Sequence, residues 1–349
     1  MTFENALETN NNQALKTFDK VDLHNHGLLS CTRKWATDGF VGKDGKKMPF
    51  DSVKTIDEFL DYFKKQEKPS RKYLYDHNYF LLYGNLQNCV DTGIKVVSPS
   101  IPYRTFKELF ISENDADTTI WFLQQIENQF PQLKILWDIG IPREKYDKQK
   151  HGEFITSLIQ SKFFSGIDLY GAENGNPNEL FVDFFKQSND IGMSTKVHAG
   201  EQLGADYVEK CINDFNPKQI QHGYRIIEDE RVVELARQKG IVFNVCPTSS
   251  VRLGVVKSMK DHPIKKMYES GLKITIGTDD LLFFESDINN EYLELYKNGV
   301  LSRKELNQIR ESGLQFATQK IKKTKLTPRS FKRFDEIQEE EGVRFYFKD

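Results

Sequence analysis

One pattern of apolar and polar positions recurs along the chain. An amphipathic stretch of helical period ends in a glycine, a short run of β-branched and apolar residues follows, and polar residues close the unit. It reads "CVDTGIKVVSPS" (89–100), "SNDIGMSTKVHAGE" (188–201), "ARQKGIVFNVCPTSS" (236–250) and "YESGLKITIGTDD" (268–280). Gly93, Gly192, Gly240 and Gly271 stand where a helix would close in the left-handed conformation. The runs "IKVV", "IVFNV" and "KITI" are nearly unbroken β-formers, as in parallel strands buried on both faces. Strands are predicted at 20–26, 94–100, 134–141, 166–173, 195–201, 219–223, 241–247 and 273–280. Eight strands alternating with helices predict an α/β fold, a (β/α)8 barrel. A doubly wound open sheet is the alternative. It fits less well, because no Gly-rich phosphate turn follows the first strand.

Helix signals agree with this plan. "EDERVVELARQKG" carries acids in its first turn and bases in its last. "DHPIKKMYESG" opens on Asp261 and Pro263 and stops at Gly271. Ser302 and Glu305 have capping-box spacing. The gap between the first two strands is far longer than one helix needs, so 27–90 is expected to be an insertion covering the barrel mouth. Within it "KWATDGFVGKDGKKMPF" resembles a loop, and "TIDEFLDYFKKQ" (55–66) an amphipathic helix. A charged extension follows residue 320. The whole of 1–349 is expected to be one domain, with the barrel at about 18–320.

Composition narrows the partners. Hydrophobic residues make up 38% and charged residues 29% of 349 positions, as in an ordinary globule. The formal net charge of −2 gives no general attraction to nucleic acid or to an anionic membrane. Cys31, Cys89, Cys211 and Cys246 lie far apart without C-x-x-C spacing, which argues against a disulfide framework or a thiolate metal site. The first residues lack a basic segment followed by an apolar one, and no run approaches ~20 apolar residues. A cytoplasmic protein acting on a small molecule is the expectation; the sequence leaves its oligomeric state open.

Candidate chemistry sits at the predicted strand ends. His24 and His26 are two apart on one strand and face the same way. They are either a metal-binding pair or a pair of hydrogen-bonded histidines. His198 and Glu201 end the fifth strand, His222 the sixth, and Asp279 and Asp280 the eighth. In a barrel those ends share one rim. Three imidazoles and a carboxylate suit zinc, with iron or manganese as alternatives. A metal with a position left for water lowers that water's pKa towards ~7. A partly desolvated carboxyl at Glu201 would then serve as a proton carrier. His77 and His151 lie in polar stretches and read as solvated; His262 reads as a structural cap.

"DLHNH", "HAGE", "QHG", "CPTSS", "HPI" and "TDD", in that order, resemble the adenosine deaminases of the amidohydrolase superfamily over about residues 18–300. The resemblance implies zinc-dependent deamination of a 6-aminopurine nucleoside, adenosine or deoxyadenosine, with hydroxide attack at C6. It implies one Zn2+ held by His24, His26, His198 and Asp279. Glu201 would protonate N1, His222 would orient the hydroxide, Asp280 would meet N7, and the Gly171 N–H would meet N3. "IDLYGAENG" offers no lysine for a second metal. Leu28 stands where the family's "H-x-H-L-D-G" has an aspartate for the ribose 5′-hydroxyl, Ala172 follows Gly171, and Leu281 follows "TDD". A modified adenine nucleoside, or a nucleotide with Arg33 or Lys34 near its phosphate, is therefore the alternative substrate. Solvent exposure is the plainer expectation for those two cations. Other readings are cleavage of a cyclic amide or ester by the same metal site, and a non-catalytic barrel.

Overall fold

The computed structural model describes residues 1–39, 71–109 and 116–319, together with Thr55 and Glu58; the side chains of 37–39, 71–77, 107–109 and 118 are not described. Eight barrel strands are present: β1 (Lys20–His26), β2 (Ile94–Pro102), β3 (Asp138–Pro142), β4 (Gly166–Tyr170), β5 (Ser194–Ala199), β6 (Gln219–His222), β7 (Val242–Val245) and β8 (Lys273–Ile276). Each pairs in parallel with the next, in chain order. The sheet closes where Asn25 bridges Asp279 and the Asp279 N–H donates to the His24 carbonyl at 2.9 Å. This is the (β/α)8 barrel.

The third strand is interrupted. Lys134–Ile135 forms a short segment of its own on β2, ahead of β3. Register is kept, with Val97 opposite Ile135 and Ser100 opposite Asp138. The last five strands end one to four residues earlier than the pattern predicts, at 170, 199, 222, 245 and 276.

The helix ends follow the local chemistry. Gly93, Gly192, Gly240 and Gly271 have φ of +83°, +78°, +67° and +73°. Asp229 caps Glu230–Lys239 through the Arg231 N–H. The Ser302 N–H donates to Glu305 at 2.7 Å and the Glu305 N–H donates back at 3.3 Å. Asp261 falls in a separate short turn, Met259–Asp261, so the next helix opens only after Pro263.

The helix Arg71–Thr92 corrects one boundary. Leu82, Leu86 and Cys89 are buried in the main core, so the second half of this stretch packs as a barrel helix between β1 and β2, while Leu81 packs with Cys31, Leu282 and Phe283 beyond the ends of β1 and β8. Most of the expected helix at 55–66, and the extension after 320, lie outside the described residues. No described helix is long and apolar enough to cross a membrane.

The barrel interior departs from the apolar reading of the strands. The Lys196 amine donates to the carboxylate of Asp138 (2.7 Å), the Ser98 hydroxyl (2.7 Å) and the Leu23 carbonyl (2.9 Å). The Asn244 amide donates to Gln219 and Gln221 at 2.8 and 2.7 Å and accepts from Thr275 at 2.6 Å. All these side chains are buried. Apart from Asp138 Oδ1, each polar atom of this network has a partner, which is what keeps it tolerable away from water.

Candidate functional site

The side chains proposed from sequence come together because several strands end in unusual backbone. His222 and Asp279 have φ of +59° and +58°, Gly171 and Gly200 of +95° and +80°. Non-glycine residues rarely adopt this region, and they do so where surrounding structure enforces it. Asp22 supplies part of that enforcement. Its carboxylate accepts from Thr278 Oγ1 at 2.6 Å and from the Thr278 and His24 N–H groups, both at 3.3 Å. The starts of the β1 and β8 ends are thereby joined.

His24, His26, His198, His222 and Asp279 converge on one point. Ring centroids of His24 lie 4.4 Å from His222, 4.8 Å from His198 and 5.6 Å from His26. Asp279 Oδ1 is 3.4 Å from His26 Nε2 and 3.7 Å from His24 Nε2. His24, His198 and His222 form one cluster with donor atoms within 4.8 Å of each other; His26 joins Asp279 and Asp280 in another.

The donor set fits a divalent ion. The His24 Nδ1 lies 3.1 Å from the Asn244 carbonyl, which can only accept, so that nitrogen carries the proton. The opposite Nε2 presents a lone pair and is buried without a hydrogen-bond partner, as is His198 Nε2. Holding one ring nitrogen on a carbonyl to aim the other is how proteins orient metal-ligating histidines. Burial, then the imidazoles of His222, His198 and His26, hold His24 well below the ordinary histidine range. Burial likewise lowers His26. These rings are neutral, as ligation requires.

Around this cluster stand two acids held above the usual carboxylate range. Glu201 is 6% exposed, and burial first, then the charges of Asp279 and Glu173, push its carboxyl well above the usual range. Its Oε2 is 3.6 Å from His222 Nε2. Burial, followed by the other histidines, keeps His222 itself well below its ordinary value. Asp280 is driven well above the carboxylate range by burial, Asp279 and Glu201. A neighbouring pair of carboxyls thus holds a proton at neutral pH.

Three supporting residues escaped the sequence analysis. Glu173 accepts from the Glu201 N–H at 2.8 Å and the Leu203 N–H at 2.7 Å, fixing the loop that carries Glu201. Asp168 lies 3.4 Å from His198 Nε2. Burial works to raise its carboxyl, but His198, His26 and Lys196 together hold it below the ordinary range. Cys246 places its sulfur within 4.8 Å of the His24 and Asp279 donors. Burial and then Asp279 push that thiol well above its usual value, so it stays protonated. Only the "GAE" and "NVCP" strand tails hinted at Glu173 and Cys246; Asp168 was hidden inside a strand.

Other expectations change. Arg33 is not a solvated cation. Its guanidinium donates to the Leu282 and Phe283 carbonyls at 2.9 and 2.8 Å and lies 2.8 Å from Glu285. Those carbonyls sit at the end of a short helix, where a guanidinium finds ready acceptors. Lys34 is exposed, as expected, and also has an interaction partner. His151 is half-buried rather than solvated, and its Nδ1 meets the Tyr103 hydroxyl at 3.0 Å and the Asp147 N–H at 3.1 Å. His262 is buried and accepts from the Ile264 N–H at 3.1 Å, one residue ahead of the N-cap Pro263. The His77 side chain lies outside the described residues.

The family model described as adenosine deaminase matches residues 133–328. An adenine deaminase of Marinomonas sp. (strain MWYL1) is 36% identical over 153 residues, 44% of this chain and 46% of that protein. The match therefore spans about half the length of that curated relative. A putative adenosine/adenine deaminase of Treponema pallidum (strain Nichols) is 26% identical over 289 residues, 81% of this chain and 93% of that protein. The crystal structure of the Arabidopsis N6-mAMP deaminase superposes with a TM-score of 0.71 at 16% identity, covering 93% of this chain and 98% of that one; at this identity the likeness is one of fold.

Proposed function

We propose that this chain, which belongs to the adenosine deaminase family and is an aminohydrolase, replaces the 6-amino group of an adenine nucleoside by oxygen and releases ammonia. Adenosine and deoxyadenosine are the leading substrates. His24, His26, His198 and Asp279 would hold one zinc ion. When bound, that ion would supply activation of a water molecule by lowering its pKa.

The chain's own residues account for the rest. Addition of water oxygen at C6 shifts electron density onto the ring nitrogens. Glu201, protonated by burial, donates at N1, where that density appears. His222, neutral and beside Glu201, is placed to accept a proton from the attacking water and to orient it. N7 is an acceptor, so the protonated Asp280 can donate to it. The Gly171 N–H would meet N3. Two acids that keep their protons, Glu201 and Asp280, on either side of Asp279 form the division of labour such a reaction needs.

The convergence of four imidazoles and Asp279 around two partnerless Nε2 atoms, with Glu201 alongside, is the observation that carries this proposal. Incubation of zinc-loaded protein with adenosine, deoxyadenosine, N6-methyladenosine, adenine and AMP tests it. Release of ammonia with the ultraviolet change of inosine formation is expected. No turnover of any member would refute it.

A further inference from the structure

Next to Gly171 stands a carboxylate that the mechanism above does not use. Glu144 follows β3, two residues beyond Pro142, which pairs with Tyr170 at the end of β4. One of its oxygens accepts from the Ala172 N–H. The other lies over Gly171, where any β-carbon would collide with it. The neighbouring Arg143 does not neutralise it; that guanidinium donates to the carbonyls of His198 at 2.7 Å and Gly171 at 3.2 Å. Among the described residues no cation pairs with Glu144, and Arg33 is bound to the segment after β8.

We propose that Glu144 is a specificity residue that reads the five-membered-ring end of the substrate and selects an uncharged adenine base or nucleoside over a nucleotide. This rests on the reading of the site given above, in which the Gly171 N–H meets N3. In a purine, N3 and N9 flank the same carbon, so a group against Gly171 lies beside N9 and whatever it carries. A carboxylate can only accept there. The N9–H of a free base and the hydroxyls of a ribose both donate. A phosphate donates nothing when ionised and brings like charge against an unpaired carboxylate. The site thereby regains a polar handle on the end of the substrate that Leu28 cannot contact by hydrogen bond.

Steady-state kinetics of zinc-loaded wild type and Glu144→Gln on adenine, adenosine, AMP and 9-methyladenine test this. Glutamine keeps an oxygen for the Ala172 N–H while removing the charge. Wild type is expected to turn over adenine or adenosine with a higher kcat/KM than AMP. Which of the two leads identifies N9–H or ribose as the donor, and either supports the proposal. Glu144→Gln is expected to raise KM for the donor-bearing substrate by about 10- to 100-fold, the loss of a charge-assisted hydrogen bond. For 9-methyladenine, which carries neither donor, the rise is expected to be at least ~10-fold smaller on the same scale. Parallel changes for both compounds, or a wild-type preference for AMP, would overturn the proposal and leave the deaminase reading intact. Absence of turnover on every compound would overturn both.

Discussion

Replacement of Lys196 by methionine is expected to destabilise the protein by about 3–5 kcal/mol, the cost of stranding one member of a buried ion pair. Lys196 and Asp138 are both fully buried and 2.7 Å apart. The substitution leaves Asp138 with the Ser98 hydroxyl and leaves the Leu23 carbonyl without its lysine donor. Measured against a total stability of about 5–15 kcal/mol, that is a large fraction. The pair itself contributes little, because desolvation offsets attraction. The double variant Lys196→Met with Asp138→Leu should therefore recover to within about 1–2 kcal/mol of wild type. Burial already raises the Asp138 carboxyl despite Lys196, and losing the lysine raises it further. Its folded value then exceeds its unfolded one, so the variant retains most stability at low pH and loses it as pH rises. Urea denaturation at two pH values, read as midpoint shifts at constant slope, measures these terms. A single variant within ~1 kcal/mol of wild type, or a double variant as unstable as the single, would refute the reasoning.

Glu201→Gln is expected to lower kcat by about 10²–10⁴-fold with zinc content retained, the range for loss of a general acid; an unchanged kcat in ammonia-release assays would remove Glu201 from the chemistry. Glu173→Ala, which takes both acceptors from the 201–203 loop, is expected to reduce kcat at full metal occupancy, and Glu173→Gln to restore part of it. Full activity of the alanine variant would show that the loop holds itself. Burial raises Glu291, hydrogen-bonded by the Thr248 N–H, to about 8 from an ordinary 4.5. The folded state then binds more protons between those values. Its stabilising contribution is complete below 4.5 and is lost as pH rises through about 8, by at most ~1.4 kcal/mol per pH unit. Glu291→Gln should flatten that part of a plot of melting temperature against pH, and an unaltered slope would contradict the assignment.

Much of this architecture can be read from sequence where local chemistry dominates. The glycines after helices, the Ser302–Glu305 box and the β-branched runs each act through their own backbone, so they locate elements without tertiary information. His24, His26, His198, His222, Asp279 and Asp280 are visible because each falls in the last residues of a strand or just past it, and in a closed barrel all such positions meet. What escapes notice depends on partners far away in the chain. Lys196 and Asp138 look like breaks in apolar strands until their contact across the interior is known. Glu173 looks like one of many acids until its carboxylate is found under the Glu201 N–H. Arg33 seems solvated because its acceptors lie some 250 residues later, at Leu282 and Phe283. His151 likewise sits in a polar stretch yet is held by Tyr103.

The most direct test of the central claim is elemental analysis of purified, active protein before and after chelation. One divalent transition-metal ion per chain is expected, lost together with deaminase activity and restored with it by added zinc. Full activity in protein that contains no transition metal would contradict it.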